Sequence, residues 1–337
     1  TSGQKRLYSL QLLNGDTTLY NIAGCLKIEG KIDANRIESV VKKIIGSQES
    51  LRTGFVDIDN EIVQVIKPSI DFKLDRYKAN DADLEKYIRP FELSAPPLFR
   101  LSLIETGDTV SYLLLDMHHI IADGLSVNKF MADFISGYEG KAITPPALQF
   151  KDYSSWANSV TYQKQQEYWL SQFSNGVQRL SLPLDFERPA YQTFDGDALR
   201  FSIGKEQSAK LNAIAKSTDA TLFIVTLSLY NVLLSKICGQ QEVTVGIPVV
   251  NRPNADLMNV IGFFVNTLAL QNNVDDEMSF TDLIRKVRAN SIRSFENQDY
   301  PFEQLVAQID ARRDPGRNPV FDVVLEFDNL DMPRIQL

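Results

Sequence analysis

The sequence predicts a mixed α/β chain in two halves. Three observations support this. At 337 residues the chain is long for one domain. Strand-like alternation and helix-like apolar stripes take turns along its length. The pattern pauses over 174–197, a polar stretch with Pro183 and Pro189, and then restarts. The expected halves are 1–175 and 176–337.

In the first half, YNIAGCLKI (20–28) reads as a strand. DANRIESVVKKIIG follows as a helix, with Asp33 as cap, Ile37, Val40, Val41, Ile44 and Ile45 on one face, and Gly46 as the stop. EIVQVIK (61–67) alternates as a short strand. ADLEKYIRPF looks helical up to about Pro90, and Pro96 and Pro97 mark the following loop. FRLSLIET and VSYLLLDM read as a hairpin through Gly107 and Asp108. Val127, Phe130, Met131, Phe134, Ile135 and Tyr138 then form a helical stripe ended by Gly140. YQKQQEYWLSQF (162–173) is a further helix.

After the connector we expect a strand at 198–203, helices at 205–216 and 219–237, and a strand at 242–247. A helix at 279–297 and a last strand, VFDVVLEF (320–327), complete the second half.

Composition narrows the function. Hydrophobic residues make up 44% and charged residues 23%, which suits a globular chain with ample core material. The net charge of −8, with acids and bases interspersed, argues against a nucleic-acid-binding surface. Cys25 and Cys238 lie far apart and form no CxxC or Cys/His cluster, so two buried thiols in a reducing cytosol are expected rather than a zinc site. The apolar run 221–238 is interrupted by Thr226, Ser228, Asn231 and Ser235, which favours a buried core helix over a membrane span.

The stretch LLLDMHHIIADGLSV (113–127) holds both histidines of the chain, His118 and His119. In a strand, adjacent side chains face opposite sides, so one ring should be structural and the other open to a substrate. The motif sits at a strand-to-helix turn, with Asp123 or Ser126 able to cap the next helix. A neutral imidazole can take a proton at cellular pH. Asp123 could orient that imidazole or pair with an arginine, and the Gly124 N–H could face a developing oxyanion. A satisfied core histidine pair is the plain alternative, and a metal site built on HHxxxD is another.

HHIIADG also fits HHxxxDG, the signature of the condensation domains of nonribosomal peptide synthetases. Companion signatures occur in family order. GQKRLYSLQLL with YNI (3–22) resembles the opening one, ESLRTGF (49–55) the second, and FKDYSSWA (150–157) the one after the histidines. IGFFVNTLAL (261–270), NQDYPFEQLV (297–306) and RNPVFDVV (317–324) resemble the last three.

The resemblance covers essentially the whole chain. It implies two chloramphenicol-acetyltransferase-like lobes in a V around a central tunnel. It implies acyl transfer from a donor aminoacyl or peptidyl thioester to the α-amine of an acceptor aminoacyl thioester. Both substrates ride on the 4'-phosphopantetheine arms of upstream and downstream peptidyl carrier domains, beside an adenylation domain. No bound cofactor, metal, nucleic acid or membrane is implied, and the location is cytoplasmic.

Carried over by position, the resemblance implies that His119 is the catalytic histidine, that His118 is structural, and that Asp123 forms an ion pair with Arg252 of GIPVVNR. Gly124 offers its N–H near the reacting carbonyl, and Asn266 lines the tunnel. Tyr153, Trp156, Pro301 and Phe302 are packing residues. The sequence departs from the family at Ser47 and Gln48, where an arginine–histidine pair is common, and at Asn297, where a histidine is common. The family domain continues past RNPxF, so an incomplete second lobe from a larger synthetase is expected.

Four other functions fit the same fold. A sister epimerisation domain shares HHxxxDG, but its usual tryptophan is absent from DGLSVNKF. A non-catalytic docking module would have lost the motif. A heterocyclising relative would carry DxxxxD in its place, and a free-standing acyltransferase would use a soluble donor.

Overall fold

Residues 2–14 form a helix, α1 (Ser2–Asn14), in this computed structural model. The structure describes residues 1–79, 83–107, 110–309 and 314–328. Thr1 caps α1 by accepting from the Gln4 N–H at 3.4 Å. The buried residues of α1 are Gln4, Leu7 and Gln11, so apolar periodicity could not reveal it.

The strand β1 (Asn21–Glu29) and the helix α2 (Ala34–Ser47) follow as expected. Asp33 accepts from the N–H groups of Asn35 and Arg36 at 2.9 and 3.2 Å. Gly46 does not stop α2: it continues to Ser47, and the Gln48 N–H closes the last turn on the Ile44 carbonyl at 3.0 Å.

A hairpin of β2 (Thr53–Ile58) and β3 (Glu61–Ile66) turns through Asp59 and Asn60, both at positive φ. β4 (Asp75–Lys78) comes next. Ala82 lies outside the described residues, and of the helix expected up to about Pro90 the described residues form one 3₁₀ turn, Glu85–Tyr87. Pro90 lacks an N–H and pushes Arg89 out of helical geometry, leaving too few residues to carry a helix.

β5 (Phe99–Glu105) and β6 (Val110–His118) form the expected antiparallel pair. Of their connection, Asp108 lies outside the described residues. The sheet order is β1-β6-β5-β4, with β4 parallel to β5, so β6 is an inner strand. Helix α3 (Gly124–Tyr138) packs beside α2. A Cβ on Gly137 would come within 2.8 Å of Val40, which shows how closely these helices approach. FKDYSSWA opens a further helix, α4 (Phe150–Ser159).

The chain separates into two compact units. The first contains Thr1–Val160 together with Arg252–Val265. The second contains Thr161–Asn251 and the described residues from Asn266 onward. The boundary therefore falls at Val160 rather than at 175. A division into contiguous halves also misses a segment that returns to the first unit.

The second unit holds α5 (Gln163–Gln172), α6 (Lys205–Ser217), α7 (Leu222–Cys238), β7 (Glu242–Val250), β8 (Val265–Asn273), α8 (Phe280–Glu296) and α9 (Phe302–Gln308). β7 pairs with β8, and α7 lies against α6, α8 and β7. Two expected strands are not formed among the described residues. Over 198–203 the alternating Leu199, Phe201 and Ile203 are 91%, 81% and 56% exposed, and no neighbour completes their ladder. Over 320–327 a single parallel bridge joins Val324 to Gly246. Alternation supplies propensity, but a strand forms only where another backbone accepts its hydrogen bonds.

α7 is half-embedded: Ile224, Val225, Leu227 and Leu234 are buried, whereas Leu229, Leu233 and Ile237 are exposed. No single described helix is long and apolar enough to cross a membrane. The cysteines are less buried than expected: Cys25 is exposed on β1 and Cys238 is half-buried.

Candidate active site

The motif begins where β6 ends. His118 is the last residue of β6 and pairs with Asn21 in register, and its N–H donates to the Leu98 carbonyl at 2.9 Å. His119 opens a 3₁₀ turn, His119–Ile121, and its N–H donates to the Tyr20 carbonyl at 2.7 Å. The two rings do diverge, but because the strand ends between them, not because it persists.

His118 is fully buried. Its Nδ1 accepts from the Ile120 N–H at 3.0 Å, and its Nε2 lies 3.4 Å from Gln11 Oε1. Burial, and secondarily the neighbouring His119, pull its pKa down to about 4, so the ring is neutral at cellular pH.

His119 is partly exposed. Its Nδ1 lies 2.8 Å from the Ala122 carbonyl oxygen, which can only accept, so Nδ1 carries the hydrogen. The neutral ring then has its lone pair on Nε2, the form a proton acceptor needs. The Phe263 ring meets His119 edge-on, with centroids 5.2 Å apart.

Asp123 is fully buried and caps α3, its Oδ1 accepting from the Ser126 N–H at 2.8 Å. Arg252 Nη2 donates to its Oδ1 at 3.0 Å and its Oδ2 at 3.2 Å, and the Phe264 N–H adds a further bond to Oδ2 at 3.2 Å. Asp123 thus pairs with arginine and not with the imidazole. Arg252 also donates to the carbonyls of Leu257 and Val260, and its guanidinium lies 3.9 Å from the Phe264 ring centroid. Burial pulls the Arg252 pKa below the usual arginine value, and Asp123 opposes that fall.

Ser126 joins the two segments. Its hydroxyl accepts from the Gly262 N–H at 3.0 Å, and it can give its hydrogen to Asp123 Oδ1 at 2.7 Å or to the Gly262 carbonyl at 2.9 Å. Gly124 is exposed at the first position of α3, where a helix N–H has no partner within its own ladder.

Sequence reasoning missed several supports. Gln48, one of the departures from the family pattern, is fully buried. Its amide donates to the Asn259 carbonyl at 2.9 Å and accepts from the Ile261 N–H at 3.0 Å, which holds the Arg252 segment. Phe150 covers Gly262 so closely that a Cβ there would lie 2.0 Å from its ring. The glycine in IGFFVNTL was the available signal.

Asn266 belongs to the second unit. Its amide donates to the carbonyls of Gln298 and Tyr300 at 2.7 and 2.8 Å and accepts from the Phe302 N–H at 3.1 Å, which ties β8 to the start of α9. Tyr153 and Phe302 are packed as expected, Pro301 precedes α9, and Trp156 is 42% exposed.

A family model described as Condensation domain matches residues 1–336. The chain belongs to the condensation-domain family. Among curated proteins, this condensation domain is 39% identical over 345 residues to tyrocidine synthase 3 of Brevibacillus parabrevis. It is 40% identical over 350 residues to surfactin synthase subunit 1 of Bacillus subtilis (strain 168). Each match covers 100% of this chain but only 5% and 10% of those proteins.

Among solved structures, it resembles a four-domain nonribosomal peptide synthetase bound to AMP and glycine, with TM-score 0.89 and 23% identity over 98% of this chain and 26% of that one. It also resembles the X-domain from teicoplanin biosynthesis, with TM-score 0.86 and 21% identity over 95% of this chain and 75% of that one. The fold is therefore that of the condensation domains of nonribosomal peptide synthetases.

Proposed function

We propose that this condensation domain forms a peptide bond between two carrier-bound substrates. The observation that carries the proposal is the His119 ring, with Nδ1 anchored on the Ala122 carbonyl and Nε2 left to accept. The α-amine of an acceptor aminoacyl thioester attacks the carbonyl of a donor acyl or peptidyl thioester. Nε2 of His119 receives a proton from the attacking nitrogen. The tetrahedral intermediate carries its charge on oxygen, and the Gly124 N–H at the start of α3 is the donor within the motif for that charge. Collapse breaks the C–S bond, and the proton held by the imidazole goes to the departing thiolate. Asp123 and Arg252 keep the turn in place and do not touch substrate.

The substrates arrive on phosphopantetheine arms of upstream and downstream peptidyl carrier domains, and an adjacent adenylation domain supplies the activated amino acid. The domain itself holds no cofactor in this scheme.

The test is to load donor and acceptor carriers, add the domain and examine the carriers by mass spectrometry. A dipeptidyl acceptor carrier, lost in His119→Ala, is the expected result. Deuterium incorporation at Cα with inversion and no dipeptide would overturn it in favour of epimerisation. Carrier binding without either product would overturn it in favour of a docking module.

A further inference from the structure

Helix α1 buries a stripe that a packing helix would fill with apolar residues. Gln4, Leu7 and Gln11 are 3%, 4% and 6% exposed. A buried amide is costly unless its hydrogen bonds are made, so these glutamines must have partners. Both have them at the histidine turn.

We infer that Gln11 and Gln4 are positioning residues for the reacting imidazole, holding the turn on both sides of His119. Gln11 donates from Nε2 to the carbonyls of Gly15 and Thr17 at 3.2 and 3.4 Å. Those acceptors fix the orientation of its amide, so Oε1 faces His118 Nε2 at 3.4 Å. An oxygen there requires hydrogen on Nε2. At the other edge of the ring, Nδ1 faces the Ile120 N–H at 3.0 Å and must be unprotonated. The two edges demand the same tautomer independently. The Ile120 carbonyl accepts from Gln4 Nε2 at 2.9 Å, and Gln4 Oε1 accepts in turn from Gln64 Nε2 at 3.2 Å.

Both polar groups of Ile120, which follows His119 directly, are thus held through α1. One is held by Gln4 and the other by His118 under the control of Gln11. The neighbouring His119 N–H is held by Tyr20. The ring of His119 is aimed by this turn, and its Nδ1 bond to Ala122 spans the same three residues.

This inference rests on His119 being the reacting imidazole, but its test reads the histidines directly. The chain has only two, so ¹⁵N-histidine labelling gives two imidazole spin systems, each with an Nδ1 and an Nε2 signal. His118 is expected as a single neutral Nε2–H tautomer at pH 7, and His119 as the Nδ1–H form. An Nδ1–H or mixed His118 in the unaltered chain overturns the inference, whatever the chain catalyses.

Gln11→Leu should give a mixed His118 tautomer and lower kcat for dipeptide formation by about 10- to 100-fold, with KM for the acceptor carrier unchanged. Gln11→Glu, which keeps an acceptor oxygen toward His118 but cannot donate to the Gly15 and Thr17 carbonyls, should restore the Nε2–H tautomer and only part of the rate. If Gln11→Leu does not fold, Gln4→Met replaces it, with the same kcat loss expected and the His119 signals shifted. Wild-type tautomers and kcat in a folded Gln11→Leu or Gln4→Met protein would overturn the inference. An intact tautomer in a chain that makes no dipeptide would contradict the peptide-forming reading alone.

Discussion

Replacing Asp123 by asparagine should cost this protein more stability than any surface change. The carboxylate and the Arg252 side chain are 0% and 1% exposed. Oδ1 receives the Ser126 N–H and Arg252 and shares the Ser126 hydroxyl with the Gly262 carbonyl, and Oδ2 receives two donors, Arg252 and the Phe264 N–H. An asparagine can satisfy one of these sites with its oxygen. Its NH₂ group then faces donors at the other. The Phe264 N–H loses its acceptor, a loss of about 1–3 kcal/mol for a buried group.

The larger effect is the arginine, left charged and unpaired in the interior, which costs about 3–5 kcal/mol. The two effects share one network and do not add, so about 3–5 kcal/mol is the expected total. Tryptophan fluorescence can follow the loss, since Trp156 lies in the first unit and Trp169 in the second. In a Trp169→Phe background, urea unfolding monitored at Trp156 should shift its midpoint down by about 2 M, taking a slope of about 2 kcal/mol per molar. Adding Arg252→Met should recover about 2 kcal/mol, because a neutral side chain no longer needs the carboxylate. A shift of less than about 0.3 M, or additivity in the double variant, would refute the reasoning.

Two further predictions follow from the same packing. His118 has a folded pKa of about 4 against 6.5 for the free side chain, so the unfolded chain binds more protons between those values. Its contribution is complete above about pH 6.5 and is lost as pH falls toward 4, an expected decline of about 3 kcal/mol. Urea titrations at pH 7, 5.5 and 4.5 should show that decline, and His118→Asn should remove it; equal slopes in both proteins would contradict the assignment. Gly262→Ala would place a methyl group 2.0 Å from the Phe150 ring and should destabilise by about 1–3 kcal/mol in the same fluorescence assay. Phe150→Leu should recover part of that loss, and an unchanged midpoint in Gly262→Ala would show that the ring moves aside without cost.

Much of the first unit was legible because its signals are local. A capping aspartate, an apolar stripe and an alternating hairpin identify α2, α3, β5 and β6 without reference to the rest of the chain. The pairing of Asp123 with Arg252 came only from the family resemblance, since no spacing rule connects residues 129 apart.

α1 was missed because its buried face is two-thirds glutamine and reads as polar. The strands expected at 198–203 and 320–327 failed for the opposite reason, since the alternation of the first and the apolar run of the second are clear in the sequence but their hydrogen bonds depend on a neighbour. The role of Gln48 was not legible because it binds the backbone of a distant segment, which its own neighbours in sequence do not announce.

The central claim is that the His119 imidazole takes part in bond formation, and a single-turnover measurement reaches it most directly. Donor and acceptor carriers are loaded in advance, mixed with the domain, quenched over time and read by mass spectrometry. The account predicts that His119→Ala and His119→Gln slow dipeptide formation by about 100-fold or more, within the range of general acid–base catalysis, while their urea midpoints match the unaltered protein. A His119→Ala protein that forms dipeptide within threefold of the unaltered rate would contradict it.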